Sequence, residues 1–163
     1  MKKEQNIPVL RLTQSAMIAA LYVVLTLLFE PISFSYIQVR IAEVLTILPL
    51  FTPAAVPGLF VGCLLGNLIG GATILDVVFG SLATLIGAAL GYLLRFNRWL
   101  VPVPAIVSNT LIIPLVLKYG YGMDLPLFLM ALYVAAGEVI SCYLLGEILA
   151  SALLRYGKSL PRI

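Results

Sequence analysis

The chain reads as a series of long apolar stretches separated by short clusters of proline, glycine and charge. The first apolar run extends from Leu12 to Phe29, long enough to cross a bilayer as a helix, and Glu30 and Pro31 end it. A segment that is aromatic and polar without strong charge, ISFSYIQ, follows. The run from Arg40 to Leu50 is short: at 1.5 Å per residue it covers only about 16 Å of a hydrocarbon core roughly 30 Å thick. Pro49, Pro53 and Pro57 turn the chain back, and a helix is expected from Pro53 to about Asn67. Gly58, Gly62 and Gly66 recur on it at four-residue spacing, so that another helix can come close. Gly70 and Gly71 break the pattern again. A fourth helix is expected over Leu75–Leu94, with Asp76 in its first turn at the positive end of the helix dipole. After the basic loop RFNR, a fifth covers Leu100–Leu117 and contains Pro102, Pro104, Asn109 and Pro114. After the loop KYGYGMD, a sixth runs from Pro126 to about Arg155 with Glu138 near its middle. No internal repeat is visible, so an inverted-repeat transporter is not indicated.

Composition fixes the class. Of 163 residues, 62% are hydrophobic and 10% charged, and mean hydropathy is +1.11, values that exclude a soluble domain. The expectation is an all-α polytopic membrane protein, residues 1–163 forming one integral membrane domain of six transmembrane helices. Met1–Arg11 is charged and polar with no A-x-A-like site, so no cleavable signal peptide is expected. Six spans put both termini on one side. Lys2, Lys3, Arg11, Arg95, Arg98, Arg155, Lys158 and Arg162 gather there against Arg40 and Lys118 on the other, which predicts cytoplasmic termini in the cell membrane. Glu30, Glu43, Asp76, Asp124 and Glu138 then fall in the outer half or near the middle, a balance favouring a neutral or cationic solute over an anion.

Polar groups at membrane depth must find partners or line a watery site, because each left alone costs several kcal/mol. The set is Gln38, Arg40, Glu43, Asn67, Asp76, Asn109 and Glu138. Arg40 and Glu43 stand three apart and read as an ion pair, although Asp76 is an equally neutralising partner for Arg40. The two asparagines read as caps near the glycine and proline breaks. Glu138 has no cation near it in sequence and shares a face with Ser141 and Cys142, which marks it as a ligand contact. Cys63 and Cys142 read as buried free thiols, and the absence of histidine removes imidazole bases and the usual histidine metal sites. There is no metal-ligand spacing, no G-x-S-x-G elbow and no Walker loop, so the chain is not expected to be an enzyme or to hold a metal or cofactor. The basic loops follow from topology and do not indicate nucleic acid.

The segments SFSYIQVRIAEVLTILPLFTPAAVPGLFVGCLLGN and GG-x-x-x-LDVVFGSLATLIGA closely resemble the QueT family, substrate-binding S components of energy-coupling factor (ECF) transporters for queuosine precursors. The resemblance implies a six-helix subunit that captures a 7-deazaguanine, such as 7-aminomethyl-7-deazaguanine or queuine, from outside. It also implies partners: a transmembrane coupling subunit, met by an A-x-x-x-A pattern that Ala16 and Ala20 match on the first helix, and two ATPases that supply the energy. The resemblance does not say which side chains touch the base. Matching donors to acceptors suggests Glu138 or Glu43 for its N1–H and exocyclic amine, Asn67, Asn109 or Arg40 for its carbonyl, and Asp76 for an ammonium arm. Phe34 and Tyr36 are suited to stack on the ring, beside Gln38. Three other readings stand against this one. A free-standing secondary transporter would use Glu138 or Asp76 as a proton site, a lipid-active enzyme would need a catalytic cluster, and a structural subunit would bind no small molecule.

Overall fold

The computed structural model describes residues 7–29 and 40–156. Among these it is helices joined by short turns, without a strand. Helix α1 spans Ile7–Leu28, α2 Ile41–Leu50, α3 Ala55–Ile69, α4 Asp76–Leu93 and α5 Val103–Gly120. Helix α6 is a continuous rod formed by Leu127–Glu138, Val139–Leu145 and Gly146–Tyr156. Helices α1, α4, α5 and α6 are long and apolar enough to cross a membrane, while α2 and α3 are shorter apolar helices. Helix α1 begins five residues before Leu12, because Arg11 sits on an exposed face and does not interrupt the winding.

Large apolar side chains cover the outside of the bundle and a set of polar ones is buried among its apolar core, the arrangement expected of a bundle solvated by lipid. Leu12, Met17, Leu21, Val24 and Leu28 are exposed along α1, as are Leu111 and Leu115 on α5 and Leu132, Leu144 and Ile148 on α6. Buried instead are Thr26, Arg40, Glu43, Thr46, Asn67, Asp76, Thr84, Asn109, Glu138 and Ser141.

The glycine stripe of α3 sets the first packing decision. A methyl group at Gly62 would stand 2.6 Å from Tyr22 Cβ and 3.0 Å from Ala19 Cα. Gly58 faces Ser15 and Ile18, and Gly66 faces Thr26. The contacts climb both helices in the same order, so α1 and α3 run parallel and α2 carries the chain back between them. Gly87 lies against Ala105 and Gly91 against Val101, in reversed order, so α4 and α5 are antiparallel. The six helices therefore alternate in direction. Gly71, at φ +72°, makes the turn that separates α3 from α4.

Two local departures from the α-helix shape the interior. Helix α2 is wound as a 3₁₀ helix, so its ten residues span about 20 Å and residues three apart align. Glu43, Thr46 and Pro49 form one such row, all buried. Asp76–Gly80 and Val139–Leu145 each take a wider π turn, a feature often found at functional sites.

Candidate functional site

Arg40 does not join the α2 row. Its backbone is extended, at φ −80° and ψ 93°, so its side chain leaves ahead of the helix and reaches α4. There its Nη2 donates to both carboxylate oxygens of Asp76 at 2.8 Å, with both side chains nearly fully buried. The Arg40–Glu43 pair expected from sequence spacing is thus replaced by an Arg40–Asp76 pair. Tyr121 donates to Asp76 Oδ2 at 3.0 Å. Burial first and the Asp76 carboxylate second push the Tyr121 hydroxyl up to about 12, which keeps it a donor. Asn67 Nδ2 donates to the Asp76 carbonyl at 3.2 Å. Asn67 therefore links α3 to the start of α4. Gly80 makes room for this network: a methyl there would lie 2.6 Å from Asp76 Oδ1 and 3.2 Å from Asn67 Nδ2.

Glu43 occupies a second centre. Its Oε1 accepts from the Tyr22 hydroxyl at 2.5 Å and the Thr84 hydroxyl at 3.1 Å, which brings α1, α2 and α4 together. Its Oε2 is buried without a hydrogen-bond partner. Across from it, Glu138 Oε2 accepts from Cys142 Sγ at 3.0 Å, one turn along the π segment of α6. A carboxylate oxygen of Glu43, one of Glu138 and Cys142 Sγ lie within 4.8 Å of one another. Asn109 stands beside the Glu138 carboxyl from α5. It does not cap a helix end, as its position near prolines suggests; it sits inside Val103–Gly120 with both amide atoms buried and unpartnered. The Ser141 hydroxyl and Arg40 Nη1 are likewise buried without partners.

The helices thus gather Arg40, Glu43, Asn67, Asp76, Asn109 and Glu138 in the bundle interior. They divide into a neutral, ion-paired centre at Arg40–Asp76, with only Arg40 Nη1 unpartnered in it, and an under-bonded one without a bonded cation at Glu43–Glu138–Asn109. The Asp76 carboxylate, assigned to an ammonium arm on sequence grounds, already holds Arg40 and Tyr121. Phe34, Tyr36 and Gln38 lie outside the described residues. Ala16 and Ala20 are exposed on α1, on the side away from the α3 stripe. Sequence reasoning missed Tyr22 and Thr84, and it found no metal-ligand spacing. Glu138 and Cys142, four apart on one face of α6, nevertheless meet Glu43, which lies 95 and 99 residues before them. Local spacing signals the α6 pair but not its meeting with Glu43. An apolar groove of about 480 Å³ between α4 and α5, lined by Leu75, Phe79, Ile112, Leu115, Val116 and Tyr119, contains none of these polar side chains.

The family model described as QueT transporter matches residues 12–155, nearly the whole chain. The chain belongs to the QueT transporter family. It is also similar to the queuosine precursor transporter QueT of Lactococcus lactis subsp. cremoris (strain MG1363), with 35% identity over 101 residues. That match covers 61% of this chain and 57% of the relative, so the chain spans little more than half the length of that QueT protein. No solved structure matches the chain. Both polar centres, from Arg40 to Glu138, fall inside the region matched to the QueT family.

Proposed function

We propose that this chain is the substrate-capturing membrane subunit of an ECF-type importer, and that it takes up a queuosine precursor, a 7-deazaguanine such as 7-aminomethyl-7-deazaguanine or queuine. The observation that carries this reading is the under-bonded centre inside a QueT-family bundle: Glu43 Oε2, the Asn109 amide and the Ser141 hydroxyl are buried without partners around Glu138. Unpaired groups of this kind cost free energy unless a ligand completes them. A deazaguanine supplies the missing partners. Its N1–H and exocyclic amine donate together to the Glu138 carboxylate, and its carbonyl accepts from the Asn109 amide or from Arg40 Nη1. Glu43 is placed to meet an ammonium arm, the role that Asp76 gives up to Arg40. Asn67 and Asp76 hold Arg40 in position.

The 163 residues carry no Walker loop, so energy must come from outside the chain. Ala16 and Ala20, exposed on α1, suit close contact with a coupling subunit that links this chain to two ATPases. The termini are cytoplasmic, and motion of the whole subunit in the membrane exposes the base inward. The adjacent Glu43 and Glu138 carboxylates favour a second reading, a free-standing proton-coupled transporter. Reconstitution in liposomes separates the two. The importer predicts uptake of labelled base only with coupling subunit, ATPases and ATP present. Uptake by this chain alone on a proton gradient would establish the second reading instead.

A further inference from the structure

Arg40 is the single buried cation among the described residues, and Asp76 holds it through two 2.8 Å contacts. Glu43 and Glu138 are left facing each other, 0% and 3% exposed, with oxygens within 4.8 Å and no cation bonded to either. The groups packed around them are Tyr22 from α1, Thr46 from α2, Cys63 from α3, Thr84 from α4, Asn109 from α5 and Cys142 from α6, and the one positive charge whose field reaches both carboxyls is Arg40, which is bonded to Asp76. Tyr22 and Thr84 both donate to Glu43 Oε1, and Cys142 donates to Glu138 Oε2, so donors serve one oxygen of each carboxyl. Glu43 Oε2 receives none. Two like charges this close in a buried site do not both ionise; they titrate as a pair that retains one proton.

We propose that the empty subunit holds one proton shared between Glu43 and Glu138, and that capture of the base expels it. This rests on the base-binding reading above. A carboxylate accepts two neighbouring N–H donors only when it carries no proton of its own, because a carboxylic acid turns an O–H toward one of them. Docking of a guanine-like edge on Glu138 therefore forces the shared proton off the pair and out to water. The neutral edge, together with the positive arm where there is one, replaces the proton as partner to the two carboxylates. In balance, protonated subunit plus base gives complex plus one proton. Glu43 is then a positioning residue: its charge holds the proton that Glu138 must lose.

The test is titration calorimetry of the purified full chain with 7-aminomethyl-7-deazaguanine, whose ammonium stays charged between pH 6 and pH 7.5. Runs at fixed pH in buffers of different ionisation enthalpy read the protons released. The expected result is close to one proton per base, with Kd falling about tenfold per pH unit while the pair remains protonated. Glu43→Gln should release fewer protons than wild type and show a shallower fall of Kd with pH, because burial alone still favours the neutral form of Glu138. As a readout free of variants, an infrared difference spectrum of the wild-type chain should lose a protonated-carboxyl band on adding base. Tight binding with no proton released and a pH-independent Kd would overturn the proposal while leaving base binding intact. Failure to bind any 7-deazaguanine would overturn the base-binding reading, and this one with it.

Discussion

Removing one member of the Arg40–Asp76 pair should do far more harm than removing both. At 2.8 Å and an effective dielectric of about 20, their attraction is roughly 6 kcal/mol, set against the cost of taking two charges out of water. Both side chains are buried, so a lone survivor cannot recover that hydration. Asp76→Asn leaves the Arg40 guanidinium without a carboxylate, and Arg40→Gln leaves Asp76 with Tyr121 as its remaining side-chain donor. Each single change is expected to cost about 3–5 kcal/mol. The double variant Arg40→Gln/Asp76→Asn removes both charges, keeps polar groups at both positions and should lie within about 2 kcal/mol of wild type. The coupling energy from the four unfolding midpoints, measured by denaturant titration in mixed micelles, is then at least about 4 kcal/mol. A coupling below about 0.5 kcal/mol, with the single costs adding in the double variant, would refute the pairing and the division of the interior into a neutral and an under-bonded centre.

The helix packing gives a second prediction. Gly62→Val should destabilise by about 1–3 kcal/mol or more, read from the same midpoints, because its Cβ would meet Tyr22 Cβ at 2.6 Å and push the tyrosine hydroxyl off Glu43. Ala16→Leu with Ala20→Leu should change stability by less than about 0.5 kcal/mol, since both positions are exposed, yet abolish co-purification with the coupling subunit proposed above. Arg98→Gln removes a 2.7 Å partner from the buried Glu147, and with the arginine 31% exposed it should cost about 1–3 kcal/mol in the same unfolding assay, less than either single change at the Arg40–Asp76 pair.

The sequence made the helices visible because each is an apolar run closed by glycine, proline or charge, and the observed ends differ from the expected ones by a few residues. Leu12 as a starting point gave Arg11 too much weight, since a surface arginine tolerates a helix. The winding of α2 was not legible. A 3₁₀ helix and an α-helix share the same apolar composition here, and only the interior contacts choose between them. That choice decides the site. With Arg40 extended ahead of a 3₁₀ helix, spacing alone suggests Glu43 as its partner whereas geometry selects Asp76, thirty-six residues on. Glu138 stood out in sequence as an acid without a nearby cation, and Asn109 as an intramembrane amide. Tyr22 and Thr84 did not stand out, because a tyrosine and a threonine in apolar helices usually carry no ligand, and what matters about them is their meeting at Glu43.

The central claim is that the under-bonded centre around Glu138 receives a 7-deazaguanine. Native mass spectrometry of the purified full chain and of Glu138→Gln, each offered 7-aminomethyl-7-deazaguanine with guanine as control, tests it most directly. The account predicts one base retained by the wild-type chain in preference to guanine, and none retained by a Glu138→Gln chain that still folds. Equal retention by both chains, or by wild type of guanine as readily as of the deazaguanine, would contradict it.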